Sequence, residues 1–352
     1  MVFGPMRHKK YTFLIERILY AIRIKVSRFL ELFGFTILTV GRRGFDKTSI
    51  RVARAQPGRR RAVFEAFKAG SVNPHKYFTI DHNIPAGIDH QKEALTWLIA
   101  EAVSLNRTPI LFPPLFLSNH NYGKKVHTRW DKYIDVTNIT ATQRGRSIRL
   151  NVPAQEEIPN FCNLSVARVS GEDRVMVSDN QEYDIIIREN RSGLKIPSVH
   201  DIIKIEVNFS PSSGVVCHYE SVSQKLKRYN CIHVRRTDKL EALEQHPDLV
   251  RETGKAAVLE TVSQLLSKNI PIYIMTDEKD KHYFDMLRKD YTVYQYFDFP
   301  ELKNIVENES PDNFFLYEIE KLIFKNAKIK IYTFKDPMGK PRLSLSQSVG
   351  WT

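Results

Sequence analysis

The chain has 352 residues, which suits two domains of ordinary size, and its 42% hydrophobic and 26% charged residues exclude a disordered protein. Lys and Arg number 53 against 40 Asp and Glu, and the net charge of +13 favours anionic partners: nucleic acid, anionic lipid headgroups or phosphate-bearing substrates. The three cysteines lack metal-site spacing and indicate a reducing compartment, and no apolar run is long enough to span a membrane.

The first predicted element is a basic amphipathic segment over residues 1–40. Between Tyr11 and Val40, apolar residues recur at helical spacing and charged residues interrupt them. The pattern fits a helix at a membrane interface and fits equally a helix packed on a domain, and it disfavours a cleavable signal peptide. We therefore expect a cytoplasmic or peripheral membrane protein, while Asn-x-Thr sequons at Asn106 and Asn138 leave the secretory pathway open.

Residues 41–212 are predicted to form an N-terminal, acceptor-side α/β domain. The elements expected there are a strand at Tyr77–Ile80, a helix at about His90–Leu105, a strand at Pro109–Phe112 and a β-rich stretch at Arg174–Asn208. The loop before the helix contains Gly87. A cluster of Ser, Pro and Gly at residues 210–214 places the domain boundary near residue 212.

Residues 213–352 are predicted to form a C-terminal, nucleotide-sugar-binding domain. Its predicted strands are Tyr229–Val234, Ile270–Met275, Thr292–Tyr296 and Ile329–Phe334, and its predicted helices are Lys255–Lys268, Lys281–Lys289 and Asp312–Asn326, with Asp312 as N-cap. Strands that alternate with helices indicate a parallel sheet with covered faces, and therefore an α/β fold.

The segment His233–Lys239 directly follows a predicted buried strand. In open α/β sheets, ligands bind at the carboxyl ends of strands. Arg235 and Arg236 cannot both be buried without partners; one is suited to grip a diphosphate bidentately, and the other to pair with Asp238 and fix the loop. The alternative is a surface cluster of ion pairs at the end of a strand.

The next strand ends in Thr276 and Asp277, which line the same crevice as Arg235 if the two strands are neighbours. Asp277 then contacts a sugar hydroxyl, holds the motif loop, or only caps the helix that follows. The later segment Tyr317–Phe334 combines a helix and a strand. A carboxylate on that helix is suited to accept hydrogen bonds from a guanine edge, or it is an ordinary solvated carboxylate.

These motifs together resemble the inverting GDP-fucose fucosyltransferases. The first motif is most similar to that of the α1,6-fucosyltransferases, and the α1,2- and protein O-fucosyltransferases share its general form. The resemblance runs from about Asn230 to Phe334. Weaker similarity upstream lies in Pro85-Ala-Gly87 before a helix and in an aromatic–acidic stretch around Trp130 and Asp135.

The resemblance implies a GT-B fold, two Rossmann-like domains facing a cleft, and a transferase that needs no metal because arginines neutralise the leaving diphosphate. Arg235 would bind the β-phosphate with support from Arg236, and Glu320 stands where the family often has an Asp that reads guanine. The motifs and the resemblance together give the expected donor-binding residues: His233, Arg235, Arg236, Asp238, Lys239, Thr276, Glu320, Thr333, Phe334 and Gly87.

Three stretches depart from the family pattern. Asp89-His-Gln-Lys92 stands where the family carries Asn and Arg, and either His90 or Lys92 is a substitute for the phosphate-binding Arg. Lys335-Asp336 follows Thr333-Phe334, at positions where the family usually has small residues with a hydroxyl group. The position of the family's acidic base holds Leu243, with Glu241 and Glu244 nearby, so the donor sugar and the base both stay open.

We expect an in-line displacement in which an acceptor hydroxyl attacks the anomeric carbon with inversion. Arg235 stabilises the departing GDP, and the proton goes to Asp277, Glu241, Glu244 or a phosphate oxygen. The expected partners are GDP-fucose and a glycan acceptor, with peripheral membrane contact through residues 1–40 and with neither metal nor nucleic acid. A GT-B transferase for another nucleotide sugar and a non-catalytic polyanion-binding protein are the alternatives.

Overall fold

The computed structural model describes residues 66–81, 85–121, 123–126, 128–153, 158, 163–169, 180, 182–189, 205–240, 244 and 247–332, and the backbone alone for 35–38, 51–54, 238, 239, 344 and 345. Strand β1 (Phe35–Leu38) pairs antiparallel with β2 (Arg51–Arg54). The prediction of one helix up to Val40 is therefore wrong at its end, because Phe-Thr-Ile-Leu favours a strand. The rest of the predicted amphipathic segment, residues 1–34, lies outside the described residues.

The N-terminal unit is built on a parallel sheet. Its strands are β3 (Asn73–Asp81), β4 (Arg107–Pro109), β7 (Val166–Val169) and β8 (Ile185–Glu189), in the order β4-β3-β8-β7 with every pair parallel. Helix α1 (Ile88–Ser104) connects β3 to β4 and buries one apolar face, including Leu95, Leu98 and Ile99. The predicted strand, helix and strand of this βαβ unit are confirmed, with bounds shifted by a few residues.

A small antiparallel sheet completes the N-terminal unit. It contains β5 (Ile139–Gln143), β6 (Arg146–Leu150) and β9 (Glu206–Asn208), in the order β6-β5-β9. Arg144 and Gly145 join β5 to β6 with φ of 48° and 77°. Two consecutive positive φ angles match the two-residue turn that suits the twist of a hairpin. The chain then passes to the C-terminal unit at Ser212, the N-cap of the next helix.

The C-terminal unit has its own sheet, in the order β12-β11-β10-β13-β14. The first four strands in this order are parallel, and β14 pairs antiparallel with β13. The strands are β10 (Asn230–Val234), β11 (Ile272–Thr276), β12 (Val293–Tyr294), β13 (Lys330–Tyr332) and β14 (Ser344–Leu345). The helices are α2 (Ser213–Leu226), α3 (Thr237–Leu240), α4 (Leu249–Glu252), α5 (Lys255–Leu265), α6 (Asp285–Arg288), α7 (Pro300–Glu307) and α8 (Asn313–Asn326). The prediction of an α/β protein with parallel sheets is confirmed.

The first four strands of this sheet follow the order of half a Rossmann fold. Numbered along the chain, the parallel strands lie third, second, first and fourth across the sheet. Every residue of β10 is buried. Ile232 and Val234 pack in one core with Val258 and Val262 of α5, whereas Cys231 belongs to a larger core on the face of α8. None of the described helices is long and apolar enough to cross a bilayer.

Candidate functional site

The order of the C-terminal sheet marks one place for a ligand. The chain continues from β10 to β11 on one side, while β13 lies on the other side of β10. Loops that leave the carboxyl ends of β10 and β13 therefore diverge and leave a crevice, which is where ligands bind in such sheets. Arg235 follows the end of β10, and the predicted Thr333 follows the end of β13 but lies outside the described residues.

Asp277, at the end of β11, holds the loop after β10. Its Oδ1 accepts a hydrogen bond from the backbone N–H of Arg236 at 2.6 Å, and its Oδ2 accepts one from that of Thr237 at 3.1 Å. The Thr237 hydroxyl donates back to the Asp277 carbonyl at 2.5 Å. These contacts match the loop-holding alternative from the sequence, and the role of Asp277 as the base stays a prediction.

Arg236 anchors the same loop from inside. Its side chain is buried; Nε donates to Glu278 at 2.9 Å, and Nη1 donates to the Thr253 carbonyl at 3.0 Å and to its hydroxyl at 2.6 Å. The guanidinium also lies 4.6 Å from the centre of the Tyr283 ring. Arg236 pairs with the carboxylate of Glu278, which follows the neighbouring strand at the same edge of the sheet, and the predicted pairing with Asp238 stays a prediction because that side chain is not described.

Arg235 lies half-buried on the side of the loop that faces α8. Its charge acts on two neighbours. Burial lowers the pKa of His233 to about 4, and the charge of Arg235 contributes to this lowering. Burial and Asp89 raise the pKa of Tyr317, and the charge of Arg235 acts against that rise. His233 is therefore neutral at pH 7, and its ring lies edge-on to Phe324 at a centroid distance of 6.4 Å. Arg235 is the motif arginine placed at the crevice.

Thr276 and Glu320, two further predicted donor-binding residues, make contacts within the fold. The Thr276 hydroxyl donates to the Val234 carbonyl at 2.7 Å and so joins the ends of β10 and β11. Glu320 is buried on α8 and accepts a hydrogen bond from the Tyr273 hydroxyl at 2.9 Å. Burial raises the pKa of Glu320 to about 8, against the lowering effect of Tyr273. The guanine-reading role of Glu320 stays a prediction.

The N-terminal unit meets this site through the start of α1. Gly87 is the N-cap residue of the helix, and its carbonyl accepts a hydrogen bond from the Gln91 N–H at 3.0 Å. Lys92, considered above as a phosphate ligand, forms an ion pair with Glu318 of α8 instead. His90, the other candidate, is exposed. The start of α1 is thus turned towards α8 of the other unit.

Asp89, Tyr317 and Lys321 form a contact that the sequence reading did not anticipate. Asp89 Oδ2 accepts from the Tyr317 hydroxyl at 2.8 Å, and Oδ1 accepts from Lys321 Nζ at 2.7 Å. Asp89 was noted only as a departure from the family pattern. Its partners are more than two hundred residues away in the chain, and no local pattern indicates such a contact.

The remaining predicted residues are not tested. Glu241, Thr333 and Phe334 lie outside the described residues, and the side chains of Asp238 and Lys239 are not described. Within the described part of the chain, no group of three or more His, Cys, Asp or Glu side chains is arranged to hold a metal ion.

No protein-family model matches the chain, and no curated protein matches it. Among solved structures it is similar to POFUT1 in its apo form, with a TM-score of 0.43, 10% identity, and coverage of 74% of this chain and 91% of that one. POFUT1 in complex with GDP-fucose gives a TM-score of 0.42, 9% identity, and coverage of 72% and 90%. The fucosyltransferase NodZ from Bradyrhizobium gives a TM-score of 0.37, 13% identity, and coverage of 73% of this chain and 87% of that one. The chain is thus similar in structure to POFUT1 and to the fucosyltransferase NodZ.

Proposed function

We propose that this chain is a glycosyltransferase that moves fucose from GDP-fucose to a hydroxyl group of a glycan, with inversion and without a metal ion. One observation carries the proposal. Arg235 follows the central strand of a Rossmann-like sheet at its switch point, on a loop that Asp277 and Arg236 hold in place. An arginine at that crevice is suited to bind a diphosphate with two parallel hydrogen bonds.

The fixed loop supplies the electrostatic part of catalysis. When the bond between the sugar and the β-phosphate breaks, negative charge grows on the departing GDP. A guanidinium that already stands in position stabilises that charge without a cost of reorganisation at the moment of reaction. The buried contacts of Arg236 with Glu278 and Thr253 keep the loop from moving, so they support Arg235 indirectly.

The motif around Arg235 favours this reaction over other uses of a Rossmann-like unit. His-Val-Arg-Arg-Thr-Asp-Lys at residues 233–239 is the stretch that resembles the GDP-fucose fucosyltransferases. In the structure, the first half of this stretch completes β10 and the second half opens α3. The motif thus occupies the strand-to-helix turn at which a diphosphate binds in such sheets.

A second candidate, a transferase for another nucleotide sugar, has one observation in its favour. Glu320 is buried and accepts a hydrogen bond from the Tyr273 hydroxyl. Burial raises its pKa to about 8, so most of its carboxyl groups are protonated at pH 7. A protonated carboxyl group offers a hydrogen-bond donor that an ionised one lacks, and this changes the base edges that it can recognise. Comparison of GDP-sugar and UDP-sugar turnover separates the two candidates.

The proposed function is tested by incubating the purified chain with GDP-fucose in EDTA, with water as the acceptor. We expect release of GDP, and we expect the fucose first released to have the anomeric configuration opposite to that of the donor, measured by NMR before mutarotation. Turnover that requires an added divalent metal would contradict metal independence. Retention of configuration would contradict the single displacement, and release of UDP from a UDP-sugar but no GDP would favour the second candidate.

A further inference from the structure

The proposed transfer needs a group that accepts the proton of the attacking hydroxyl. The sequence offered Asp277, Glu241 and Glu244. All three belong to the C-terminal unit, as Arg235 does, and Asp277 holds the motif loop itself. In an in-line displacement the proton acceptor lies across the anomeric carbon from the leaving diphosphate, so a carboxylate of the N-terminal unit is better placed for this role.

Asp89 is a carboxylate of that unit at its contact with the C-terminal unit. It lies in the first turn of α1, on the acceptor-side unit, and contacts α8 of the other unit through Tyr317 and Lys321. Its charge reaches His233, the residue two positions before Arg235, and raises the pKa of that histidine against the larger lowering effects. Arg235 in turn acts on Tyr317. The His233 ring also lies edge-on to Phe324, which is one turn beyond Lys321 on α8, so Asp89 lies near the end of β10 where the proposed diphosphate site begins.

Asp89 is also oriented and accessible. Tyr317 and Lys321 each donate one hydrogen bond to a different oxygen, which fixes the plane of the carboxylate. A carboxylate has about four acceptor sites, so these two bonds leave room for another donor. The side chain is 44% exposed, whereas that of Lys321 behind it is only 18% exposed. A hydroxyl arriving from solvent can therefore reach it.

We propose that Asp89 accepts the proton of the acceptor hydroxyl in the transfer reaction; this inference rests on the proposed function. The hydroxyl oxygen forms a bond to the anomeric carbon, and the bond from that carbon to the β-phosphate oxygen breaks. The electron pair of the broken bond leaves with GDP, and the hydroxyl proton moves to Asp89. Inversion requires the acceptor hydroxyl and the departing diphosphate to lie on opposite faces of the sugar, so the proposal places the sugar between Asp89 of one unit and Arg235 of the other.

The surroundings of Asp89 keep it ionised. Burial alone would raise the pKa of Asp89, but the charge and hydrogen bond of Lys321, the hydroxyl of Tyr317 and the charge of Lys92 together lower it below its usual value. The charge of Asp89 also acts on His233 at the end of β10, Glu318 of α8 shares Lys321 with Asp89, and Arg235 acts on Tyr317. A base of low pKa gives a modest driving force, so we expect a contribution near the lower end of the usual range, about 10²-fold.

The direct test is Asp89→Asn, with GDP release from GDP-fucose measured with water as the acceptor. The matched control is Glu93→Gln, which changes an exposed acid to an amide on the same helix. We expect Asp89→Asn to lower kcat by about 10²-fold with unchanged GDP affinity, and Glu93→Gln to keep both. An unchanged kcat in Asp89→Asn would overturn the role of Asp89. A wild-type chain that binds GDP but releases none from GDP-fucose would overturn the proposed function instead.

A second variant separates a proton acceptor from a merely structural carboxylate. Lys321→Met removes the charge that lowers the pKa of Asp89. If Asp89 accepts the proton, the acid limb of the pH profile of kcat moves to higher pH, while kcat on the alkaline side is retained. Lys321→Arg keeps the charge and should keep the wild-type profile. An acid limb that is the same in Lys321→Met and in the wild type would overturn the proposal.

Discussion

Arg235 and Arg236 are neighbours in the chain, but their side chains lie in different surroundings. Arg236 is buried among Glu278, Thr253 and Tyr283, where its positive charge has a carboxylate and a ring face as partners. Arg235 lies half-buried at the crevice, on the side of Tyr317. Successive residues leave the end of a strand in opposite directions, so one arginine enters the fold and the other lies at the crevice.

Glu320 gives a stability prediction at the same scale. Its pKa of about 8 in the folded chain lies above the value of about 4.3 for an unfolded glutamate. The folded chain therefore binds the proton more tightly than the unfolded chain. The contribution of Glu320 to the free energy of unfolding is complete below about pH 4.3 and is lost as the pH rises through about 8.

We expect Glu320→Gln to flatten this pH dependence, because an amide oxygen still accepts the Tyr273 hydrogen bond and does not ionise. The measurement is urea unfolding of the variant and the wild type at acidic, neutral and mildly alkaline pH. The variant should gain stability relative to the wild type as the pH rises. A constant difference at every pH would show that Glu320 keeps an ordinary pKa in the folded chain.

At the scale of elements, α8 connects the two units along much of its length. Asn313, its first residue, donates through its backbone N–H to the Asn121 side chain at 2.8 Å, and Asn121 donates to the Pro311 carbonyl at 2.8 Å. Further along, Tyr317 and Lys321 contact Asp89, and Lys92 pairs with Glu318. Helix α8, which directly precedes β13, thereby also fixes the position of α1 relative to Arg235.

The N-cap of α8 is the contact whose loss should cost most. Asp312 Oδ1 accepts from the Phe315 N–H at 3.0 Å, and Oδ2 accepts from the buried Tyr133 hydroxyl at 2.9 Å and pairs with Lys132. Asp312→Ala removes a cap worth about 1 kcal/mol and leaves a buried hydroxyl unpaired at about 1–3 kcal/mol, so we expect a loss of about 2–4 kcal/mol. Urea unfolding measures this loss.

Asp312→Asn is the control for that variant. An amide oxygen still caps the helix and still accepts a hydrogen bond from Tyr133, but the charge that pairs with Lys132 is gone. Because the Lys132 side chain is 41% exposed and solvent screens its charge, the loss of that ion pair should cost about 1 kcal/mol or less. Equal destabilisation by the two substitutions would mean that the charge, and not the cap, stabilises the start of α8.

The sequence predicted those secondary-structure elements whose signal lies within a short stretch of the chain. The strands β10, β11 and β13 and the helix α8 were expected within two residues of their bounds, and Asp312 was expected as the N-cap. Their signals are β-branched runs, helical periodicity and a capping residue, all within a short window. The β5–β6 hairpin was not predicted, because Arg146 and Arg149 interrupt the apolar pattern of β6 and the turn is Arg-Gly instead of Asn-Gly.

The partners of the site residues could not be predicted in the same way. Which arginine enters the fold depends on Glu278 and Thr253, which other elements bring to the loop. The contact between Asp89 and Tyr317 joins residues 228 positions apart. Sequence patterns describe the faces of a single element, and such contacts depend on how two units pack against each other.

At the scale of the whole molecule, the two units share one hydrophobic core. Phe116 of the N-terminal unit stacks on Phe314 of α8 with ring centroids 4.2 Å apart, and Tyr133 lies edge-on to Phe315 at 6.3 Å. The larger core cluster contains residues of both sheets and of α1, α2 and α8. Such packing favours a fixed relation between Asp89 and Arg235 over a freely hinged pair of domains.

The central claim is that Arg235 binds the diphosphate of a guanosine-diphosphate sugar, and calorimetry in EDTA tests it most directly. GDP and UDP are titrated into the wild type, Arg235→Ala and the control Arg228→Ala, which removes an exposed arginine just before β10, at its opposite end. We predict that GDP binds the wild type more tightly than UDP, that Arg235→Ala raises the Kd for GDP by about 10²-fold, and that Arg228→Ala leaves it unchanged. No binding of GDP, or the same Kd in Arg235→Ala and the wild type, would contradict the account.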